Sequence, residues 1–391
     1  MNQGKTLGKA RTALVAMCFA LCCVVALGIV GCGGSTGSSS ASGSSASASA
    51  SASASSASSA SASSGATVSF TDSAGRTVEL PANIERVAVT GPISQMCMLT
   101  LAPEKMVGLS NELSDIEKKY INPKFTNLPV YGQIYGGKGD FNKEAVANAN
   151  PQVIIDIGEA KKGIVEDLDG IQEAIGIPCV HIEATYNTYD SAYTELGKLL
   201  GVGERARELA TYCADAYKVT SDAVASVPEA DRVKVAYLLG DAGLNVMAKG
   251  SFQGSVVDAI ADNVCVLEKA GGSGLGSESS FEQIAMWDPQ MIIFAPDSIY
   301  DKVGSEATWQ TLSAIANGNY YAVPGEPYNW ISSPPGVNQI LGYQWFARLC
   351  YPDKFSDNIA DIVKGYYMAF YGYEMSDAEC DALIAKSLPK K

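Results

Sequence analysis

The sequence contains very little histidine. Its 391 residues include one, His181, against 28 Lys and Arg and 42 Asp and Glu. A single imidazole excludes sites built on two or more histidines, which include the usual zinc and manganese cages. His181 ends a short apolar run, so we expect it to be a buried structural residue.

Basic residues are also scarce after the first 65 positions. Those 65 residues contain three basic side chains and no acid, which leaves 25 basic and 42 acidic residues and a net charge of −17 for the remainder. A surface this acidic repels phosphate backbones. The composition therefore argues against a nucleic-acid-binding protein.

The first 31 residues have the pattern of an export signal. A basic start precedes an apolar run from Ala13 to Val30, whose end reads Ile29-Val30-Gly31-Cys32. These four residues resemble the lipobox of bacterial lipoproteins, in which the cysteine is acylated and becomes the new N-terminus. The resemblance predicts a cleaved signal over residues 1–31 and a lipid on Cys32. The alternative is a retained membrane span, since about 18 apolar residues are just long enough to cross a bilayer.

Residues 32–65 lack the apolar side chains that a folded core needs. After Cys32 they are almost only Ser, Ala and Gly, a composition typical of a flexible coil. A coil of this length has a root-mean-square reach on the order of 30 Å. We interpret the segment as a tether.

Closely spaced cysteine pairs are absent after residue 32. Four of the ten cysteines fall within the first 32 residues, and the other six form no C-x-x-C motif. An exported protein can form disulfides, but most of these cysteines lie in apolar segments. We therefore expect buried thiols at Cys97, Cys179, Cys213, Cys265, Cys350 and Cys380.

Short apolar runs alternate with amphipathic stretches after an opening hairpin at residues 68–80. This alternation predicts parallel strands covered by helices. One series fills residues 66–203 and a second fills 229–391, so the prediction is an α/β protein with two lobes. The predicted strands include Met106–Leu109 and Val264–Leu267.

A long amphipathic stretch lies between the two series. Apolar residues recur at three- and four-residue steps from Ala206 to Val227, and Pro228 follows. The pattern predicts one helix over residues 204–228 that joins the lobes as a stiff connector. The alternative is that this helix packs on one lobe alone.

A twelve-residue segment occurs twice. Residues 144–155 match residues 282–293 at six of twelve positions, and in each copy a helical pattern ends before a Pro-Gln pair and a buried strand. The repeat predicts two homologous lobes that face each other across a cleft.

A glycine-rich loop precedes each copy, at residues 135–139 and 271–277. Neither loop has the dinucleotide or phosphate-binding spelling. If the lobes match, both loops lie at the carboxyl ends of strands, where α/β sheets bind ligands. A plain flexible loop is the alternative interpretation.

Several motifs together resemble one known family, the substrate-binding lipoproteins of ABC importers for iron–siderophore complexes, haem and cobalamin. The resemblance covers residues 66–391, and no single motif decides it. It rests on the order and spacing of residues 71–78, 86–89, 142–144, 150–155, 176–178, 196–201, 280–282, 287–289, 334–338 and 351–352.

The resemblance implies two Rossmann-like lobes with parallel sheets, joined by a single rigid helix, with ligand held in the cleft. Family members dock on the permease through one glutamate on each lobe, and Glu144 and Glu282 match that pattern. The implied partners are an ABC permease, its ATPase and a small-molecule metal complex, at the outer face of the cytoplasmic membrane. No enzymatic activity and no resident cofactor or protein-bound metal are expected.

Candidate ligand-binding residues are those in loops that follow predicted strands. Aromatic faces with scattered cations suit a bulky, partly anionic organic complex, and ferric siderophore is the first choice because it is common in the resembled family. Haem, a corrinoid and an oxyanion such as molybdate stay open, as do a ligand sensor and a surface-anchored enzyme. The candidates are Tyr131, Tyr135, Lys138, Glu159, Lys161, Lys249, Phe252, Ser273, Ser277, Tyr328 and Trp330.

Overall fold

The structure is a computed structural model that describes residues 66–135, 139–269 and 274–389. The predicted signal and tether, with Cys32, lie outside the described residues, as do Lys138 and Ser273. Within the described part of the chain, no helix is both long and apolar enough to cross a membrane.

The first lobe begins with the predicted hairpin, formed by antiparallel strands β1 (Thr67–Thr71) and β2 (Thr77–Pro81). Asp72 stabilises the turn, because its Oδ1 accepts hydrogen bonds from the backbone N–H groups of Ala74 and Arg76 at 3.0 and 2.8 Å. A short aspartate side chain commonly closes a turn in this way.

The sheet of the first lobe consists of parallel strands in the order β3 (Val87–Val89), β4 (Val153–Gly158), β5 (Cys179–Glu183). All residues of β3 and β4 are buried, which explains their mainly apolar sequence. The helices of this lobe are α1 (Pro92–Leu101), α2 (Asp115–Tyr120), α3 (Lys143–Ala149), α4 (Ile164–Ile175) and α5 (Tyr189–Leu200).

The predicted strand at Met106–Leu109 is wrong. The segment makes isolated bridges, from Met106 to Val87 and from Leu109 to Val130, and no ladder. Gly108 lies between them against the Tyr131 ring, where a Cβ atom would be 2.3 Å from the ring atom Cε2. The chain therefore switches from one neighbour to another at Gly108 instead of continuing along one strand.

The second lobe has a mixed sheet in which β6, β8, β10 and β11 run parallel, β7 pairs antiparallel with β6, and β9 pairs antiparallel with β7. The strand order is β11-β10-β6-β7-β9, and β8 pairs with β6. The bounds are β6 (Lys234–Leu239), β7 (Asn245–Val246), β8 (Asp262–Asn263), β9 (Ser277–Glu278), β10 (Met291–Phe294) and β11 (Tyr320–Ala322).

The strand predicted at Val264–Leu267 lies two residues earlier, as β8. Asn263 accounts for the difference, since its Oδ1 accepts from the N–H of Cys265 at 3.1 Å and its Nδ2 donates to the carbonyl of Met247 at 3.2 Å. These bonds turn the chain away from the ladder. The helices that follow the connector are α7 (Ser255–Ile260), α8 (Phe281–Trp287), α9 (Tyr300–Val303), α10 (Ser313–Ala316), α11 (Asn338–Cys350), α12 (Ile359–Tyr371) and α13 (Asp377–Ile384).

The predicted connecting helix is present as α6 (Gly203–Ala225), 23 residues long. At 1.5 Å per residue it spans about 34 Å. It packs along α5 of the first lobe and against α11 and α12 of the second. The structure is thus a two-lobe α/β fold linked by one long helix, as predicted.

The C-terminal helices add contacts between the lobes that the sequence did not predict. Helix α12 lies against α1 and α6, and Arg205 of α6 donates hydrogen bonds to the carbonyls of Thr100 in α1 and Ala369 in α12 at 3.1 and 2.6 Å. One apolar core runs from the first lobe through α6 into the second. The two lobes therefore share buried surface as well as a covalent link.

Helix α2 is held against the second lobe by its last residue. The Tyr120 hydroxyl donates to Glu326 Oε2 at 2.6 Å, and the Tyr120 ring centroid lies 5.0 and 4.9 Å from those of Tyr367 and Tyr373. The pKa of Tyr120 is raised mainly by burial and secondly by the nearby Glu326 carboxylate. The hydroxyl therefore stays protonated and can donate. We call this set of contacts the α2 brace.

A second carboxylate, Glu379, extends the α2 brace. Its Oε1 accepts from the Tyr373 hydroxyl at 2.6 Å and lies 3.4 Å from Lys119 Nζ, while its Oε2 accepts from the Ser376 hydroxyl at 2.8 Å. The hydrogen bonds from Tyr373 and Ser376 lower the pKa of Glu379 to about 2.

The six cysteines of the described residues are buried and free, which confirms the predicted thiols. Burial raises the pKa of Cys97 and Cys265 to about 12. Such thiols are protonated and unreactive at neutral pH.

Candidate functional site

The sequence repeat corresponds to a repeated structural unit. Helices α3 and α8 each have seven residues, each is capped by a side-chain oxygen (of Asn142 and Ser280), and each ends at a left-handed residue, Asn150 with φ 50° and Asp288 with φ 46°. A Pro-Gln pair then leads into β4 and β10. The two lobes thus repeat one helix–strand unit at the same positions.

The glutamine of each copy makes the same contact. Gln152 Oε1 accepts from the backbone N–H of Arg86 just before β3 at 3.0 Å, and Gln290 Oε1 accepts from the N–H of Lys234 at the start of β6 at 2.9 Å. Each glutamine thereby ties its strand to the neighbouring parallel strand. The glutamine is therefore identical in the two copies because it makes the same packing contact in each lobe.

The two glutamates predicted to dock on a permease occupy matched positions. Glu144 and Glu282 are each the second residue of their helix, and both are exposed. Neither forms a hydrogen bond or ion pair within the described residues. The two carboxylates thus occupy matched exposed positions, one on each lobe.

Three of the candidate ligand residues come together across the lobes. Glu159 and Lys161 follow β4 in the first lobe, and Lys161 Nζ lies 2.7 Å from Glu159 Oε2. The same ammonium lies 5.1 Å from the centroid of the Phe252 ring, which belongs to the second lobe. A carboxyl-end loop of the first lobe therefore meets the second lobe at a cation–π contact.

The two lobes also come close together at Gly336 of the second lobe. A Cβ atom there would lie 2.8 Å from Cε of Met96 in α1, so a larger residue would require the Met96 side chain to move. Helix α1 begins directly after β3, with Gly91 as its N-terminal flanking residue. The carboxyl ends of β3 and β4 thus face the second lobe, and we take this interface as the candidate ligand cleft.

The two candidate tyrosines of the first lobe are engaged with their own lobe. The Tyr135 hydroxyl donates to Asp167 Oδ2 at 2.8 Å, and burial together with this carboxylate raises the Tyr135 pKa. The Tyr131 hydroxyl donates to the carbonyl of Val107 at 3.3 Å. Both rings are partly buried, so each keeps only part of its surface available.

Two candidates of the second lobe, Lys249 and Ser277, make contacts within that lobe. Lys249 is paired with Asp262 at 3.0 Å, and Ser277 lies in β9 opposite Val246. The charge of Lys249 is therefore balanced by a carboxylate of its own lobe.

Trp330 and Tyr328 are core residues, contrary to the expectation that they present aromatic faces to a ligand. Trp330 is 1% exposed, its indole donates to the carbonyl of Glu326 at 3.2 Å, and its ring packs edge-on against Trp345 at 6.2 Å. Tyr328 is 8% exposed. Their positions after β11 suggested a loop, but this loop turns inward and fills the core.

Of the polar residues that meet at the same loop, Tyr237 and Ser332 are not singled out by the sequence. The Tyr237 hydroxyl forms a 2.8 Å hydrogen bond with the Ser332 hydroxyl and accepts from Asn329 Nδ2 at 2.9 Å. All three are buried. No motif marks them, because a lone Asn or Ser in a loop has many roles.

The first lobe has a comparable polar group next to Met96. Gln95 Oε1 accepts from the backbone N–H groups of Ser110 and Asn111 at 2.7 and 3.1 Å, and Asn111 Nδ2 donates to Gln133 Oε1 at 3.2 Å. These uncharged groups order the loops beside α1. They were also missed, since the residues are far apart in the sequence.

His181 has the structural role that the sequence predicts. It is a fully buried residue of β5, and its Nδ1 lies 2.8 Å from Asp156 Oδ2 in the neighbouring strand β4. Asp156 also accepts a short hydrogen bond from the Thr90 hydroxyl. Among the described residues, no group of three or more His, Cys, Asp or Glu side chains could hold a metal ion.

A groove of about 460 Å³ lies on the outside of the connector, between α5 and α6. Asp190, Lys198 and Arg207 are among its lining residues. It lies along the connecting helix and away from the strand ends, so it does not belong to the cleft.

Two α/β lobes joined by one long helix, with a candidate cleft between them, are the architecture of a solute-binding protein. In agreement, a family model described as periplasmic binding protein matches residues 87–327. The chain belongs to this family, and it is a solute-binding protein of an ABC transporter. Such proteins are not enzymes; they bind small ligands and act together with a permease and an ATPase.

Solved structures agree with this assignment. An ABC transporter solute-binding protein from Sulfurospirillum deleyianum is 29% identical, with a TM-score of 0.75 and coverage of 81% of this chain and 99% of that one. A periplasmic solute-binding protein from Veillonella parvula is 25% identical, with a TM-score of 0.66 and coverage of 82% and 98%.

The molybdate-binding protein MolA of Haemophilus influenzae, solved with molybdate, shares the fold at 19% identity, a TM-score of 0.63 and coverage of 79% and 99%. A comparison with curated protein sequences finds no significant match.

Proposed function

We propose that this chain is a lipid-anchored receptor that binds a ferric siderophore in the interlobe cleft and delivers it to an ABC permease. The anchor would be a lipid on Cys32, with residues 33–65 as the tether at the outer face of the cytoplasmic membrane. The contact of Lys161 with the Phe252 ring across the lobes carries the ligand part of the proposal.

This contact offers the two chemistries that an aromatic, anionic iron chelate requires. Phe252 presents a partly exposed ring for stacking, and Lys161 presents an ammonium group that can leave Glu159 for a more negative partner. A sequence with one histidine suits a cargo whose metal arrives already held by its own chelator.

The docking part of the proposal is supported by Glu144 and Glu282. Matched, exposed and unpaired carboxylates on two homologous lobes suit a cationic partner with two-fold or near two-fold symmetry. Reversing both charges to lysine should abolish uptake while leaving ligand affinity unchanged. Glu173→Lys, at an exposed position of α4, is the control, and loss of affinity in the double variant would contradict the docking role.

The ligand is tested by calorimetric titration of the purified protein with ferric catecholate and hydroxamate siderophores, haem, cobalamin and molybdate. We expect saturable binding of a ferric siderophore. Phe252→Leu should weaken it about three- to tenfold, the magnitude of one aromatic contact. Phe355→Leu is the matched control, because that ring has its own cation–π contact with Arg348 at 4.2 Å in the second lobe. Saturable binding of molybdate, haem or cobalamin alone would refute the siderophore assignment.

A further inference from the structure

The exposed faces of α3 and α8 each carry a glutamate but differ in polarity at one matched position. Four residues after each glutamate, one helical turn along the same face, the first lobe has Asn148 and the second has Met286. Both positions are exposed. The repeated unit therefore presents a carboxylate beside an amide in one lobe, and a carboxylate beside a thioether in the other.

Met286 is unusually exposed for its type. At 79% it is the most exposed large apolar side chain of the described residues. On the opposite side of the same helix, Ile284 is fully buried, as is Val146 at the matched position of α3. Since α3 makes the same packing with a polar residue at the matched position, the fold of the lobe does not require an apolar side chain at 286.

We propose that Met286 is an apolar anchor that inserts into a recess of the permease beside the cations that meet Glu282. The proposal rests on the docking role given above to the two glutamates. The two docking contacts are then unequal: the first lobe binds through charge alone, and the second binds through charge and buried apolar area. Methionine suits such a contact because its flexible side chain adapts to an irregular surface.

The two kinds of contact differ in their response to salt. Exposed charge pairs are screened as ionic strength rises, so the effect of removing Glu144 should shrink at high salt. Burial of apolar surface is not screened in this way. The effect of removing Met286 should therefore persist.

The test measures binding of the ligand-loaded protein to its cognate permease–ATPase complex in lipid nanodiscs, at low and high sodium chloride. Met286→Ala and Met286→Gln should each weaken binding about tenfold at both salt concentrations, as expected for the burial of one methionine side chain. Met286→Leu should bind like the unmodified protein. Met368→Ala is the control, at an exposed methionine on α12.

The outcomes separate this proposal from the function on which it rests. Unchanged binding of Met286→Ala, together with weakened binding of Glu144→Gln and Glu282→Gln, would refute the anchor and leave the docking role intact. Failure of the unmodified protein to bind the permease would refute the docking role itself. A loss in Met286→Ala that disappears at high salt would also overturn the proposal, since the contact would then be electrostatic.

Discussion

The α2 brace offers a quantitative test of how the two lobes are held together. Tyr120→Phe removes one hydroxyl and leaves the ring, so the tilted contact with Tyr367 and the edge-on contact with Tyr373 are kept. The lost interaction is the 2.6 Å hydrogen bond to Glu326. Hydrogen bonds to charged groups contribute about 1.5–3 kcal/mol, but the Glu326 side chain is 39% exposed, so solvent screening reduces the value. We expect a loss of about 1 kcal/mol in the free energy of unfolding.

A double-mutant cycle isolates this interaction from other effects of each substitution. The variants are Tyr120→Phe, Glu326→Gln and the double substitution, measured by urea unfolding at pH 7. Since one apolar core spans both lobes, we expect a single transition, with a coupling energy of about 0.5–1 kcal/mol between the two sites. Tyr300→Phe is the control, because the Tyr300 hydroxyl makes no hydrogen bond within the described residues.

Two results would refute the reasoning about the brace. A coupling energy indistinguishable from zero would mean that the hydrogen bond does not contribute to stability. Two separate transitions would mean that the lobes unfold independently, in which case the shared core does not couple them.

Three further predictions follow from single positions. Gly342→Ala should destabilise the protein by about 3 kcal/mol or more in urea unfolding, because a Cβ atom there would lie 1.9 Å from the backbone oxygen of Trp330; stability equal to the unmodified protein would contradict the close packing. The pKa of Glu379 is lowered to about 2, so its stabilising contribution is complete above the unfolded value of about 4.3 and is lost as pH falls towards 2. Glu379→Gln should therefore flatten the loss of stability between pH 4.5 and 2, and an unchanged pH profile would exclude this role. Cys32→Ala should abolish incorporation of labelled palmitate while Cys23→Ala, within the signal, should not; acylation of the Cys32 variant would refute the predicted anchor.

Much of the fold follows from local patterns in the sequence. The helix–strand repeat was predictable because its packing is set by neighbouring residues: the capping side chain, the residue before proline and the buried strand occupy fixed positions in each copy. The connecting helix was predictable because its apolar residues recur at helical spacing over more than twenty positions.

The cleft was harder to predict because its residues meet only after folding. Trp330 was assigned to a ligand surface from its place in a loop, and nothing near it in the sequence shows that the loop turns into the core against Trp345. The polar contacts of Gln95 with Ser110 and of Asn329 with Tyr237 join distant segments through ordinary residue types. Lys161 and Phe252 are both candidates from the sequence, but their contact across the lobes could not be predicted from either segment alone.

The six cysteines of the described residues are all buried, so we expect them to react slowly with thiol-directed reagents. A cysteine introduced on the surface of each lobe would therefore be the reactive pair within the described residues, without removal of any of these six. Donor and acceptor dyes at two such positions would report the distance between the lobes in single molecules. The motion that accompanies ligand capture can thus be measured on a chain whose own core packing is untouched.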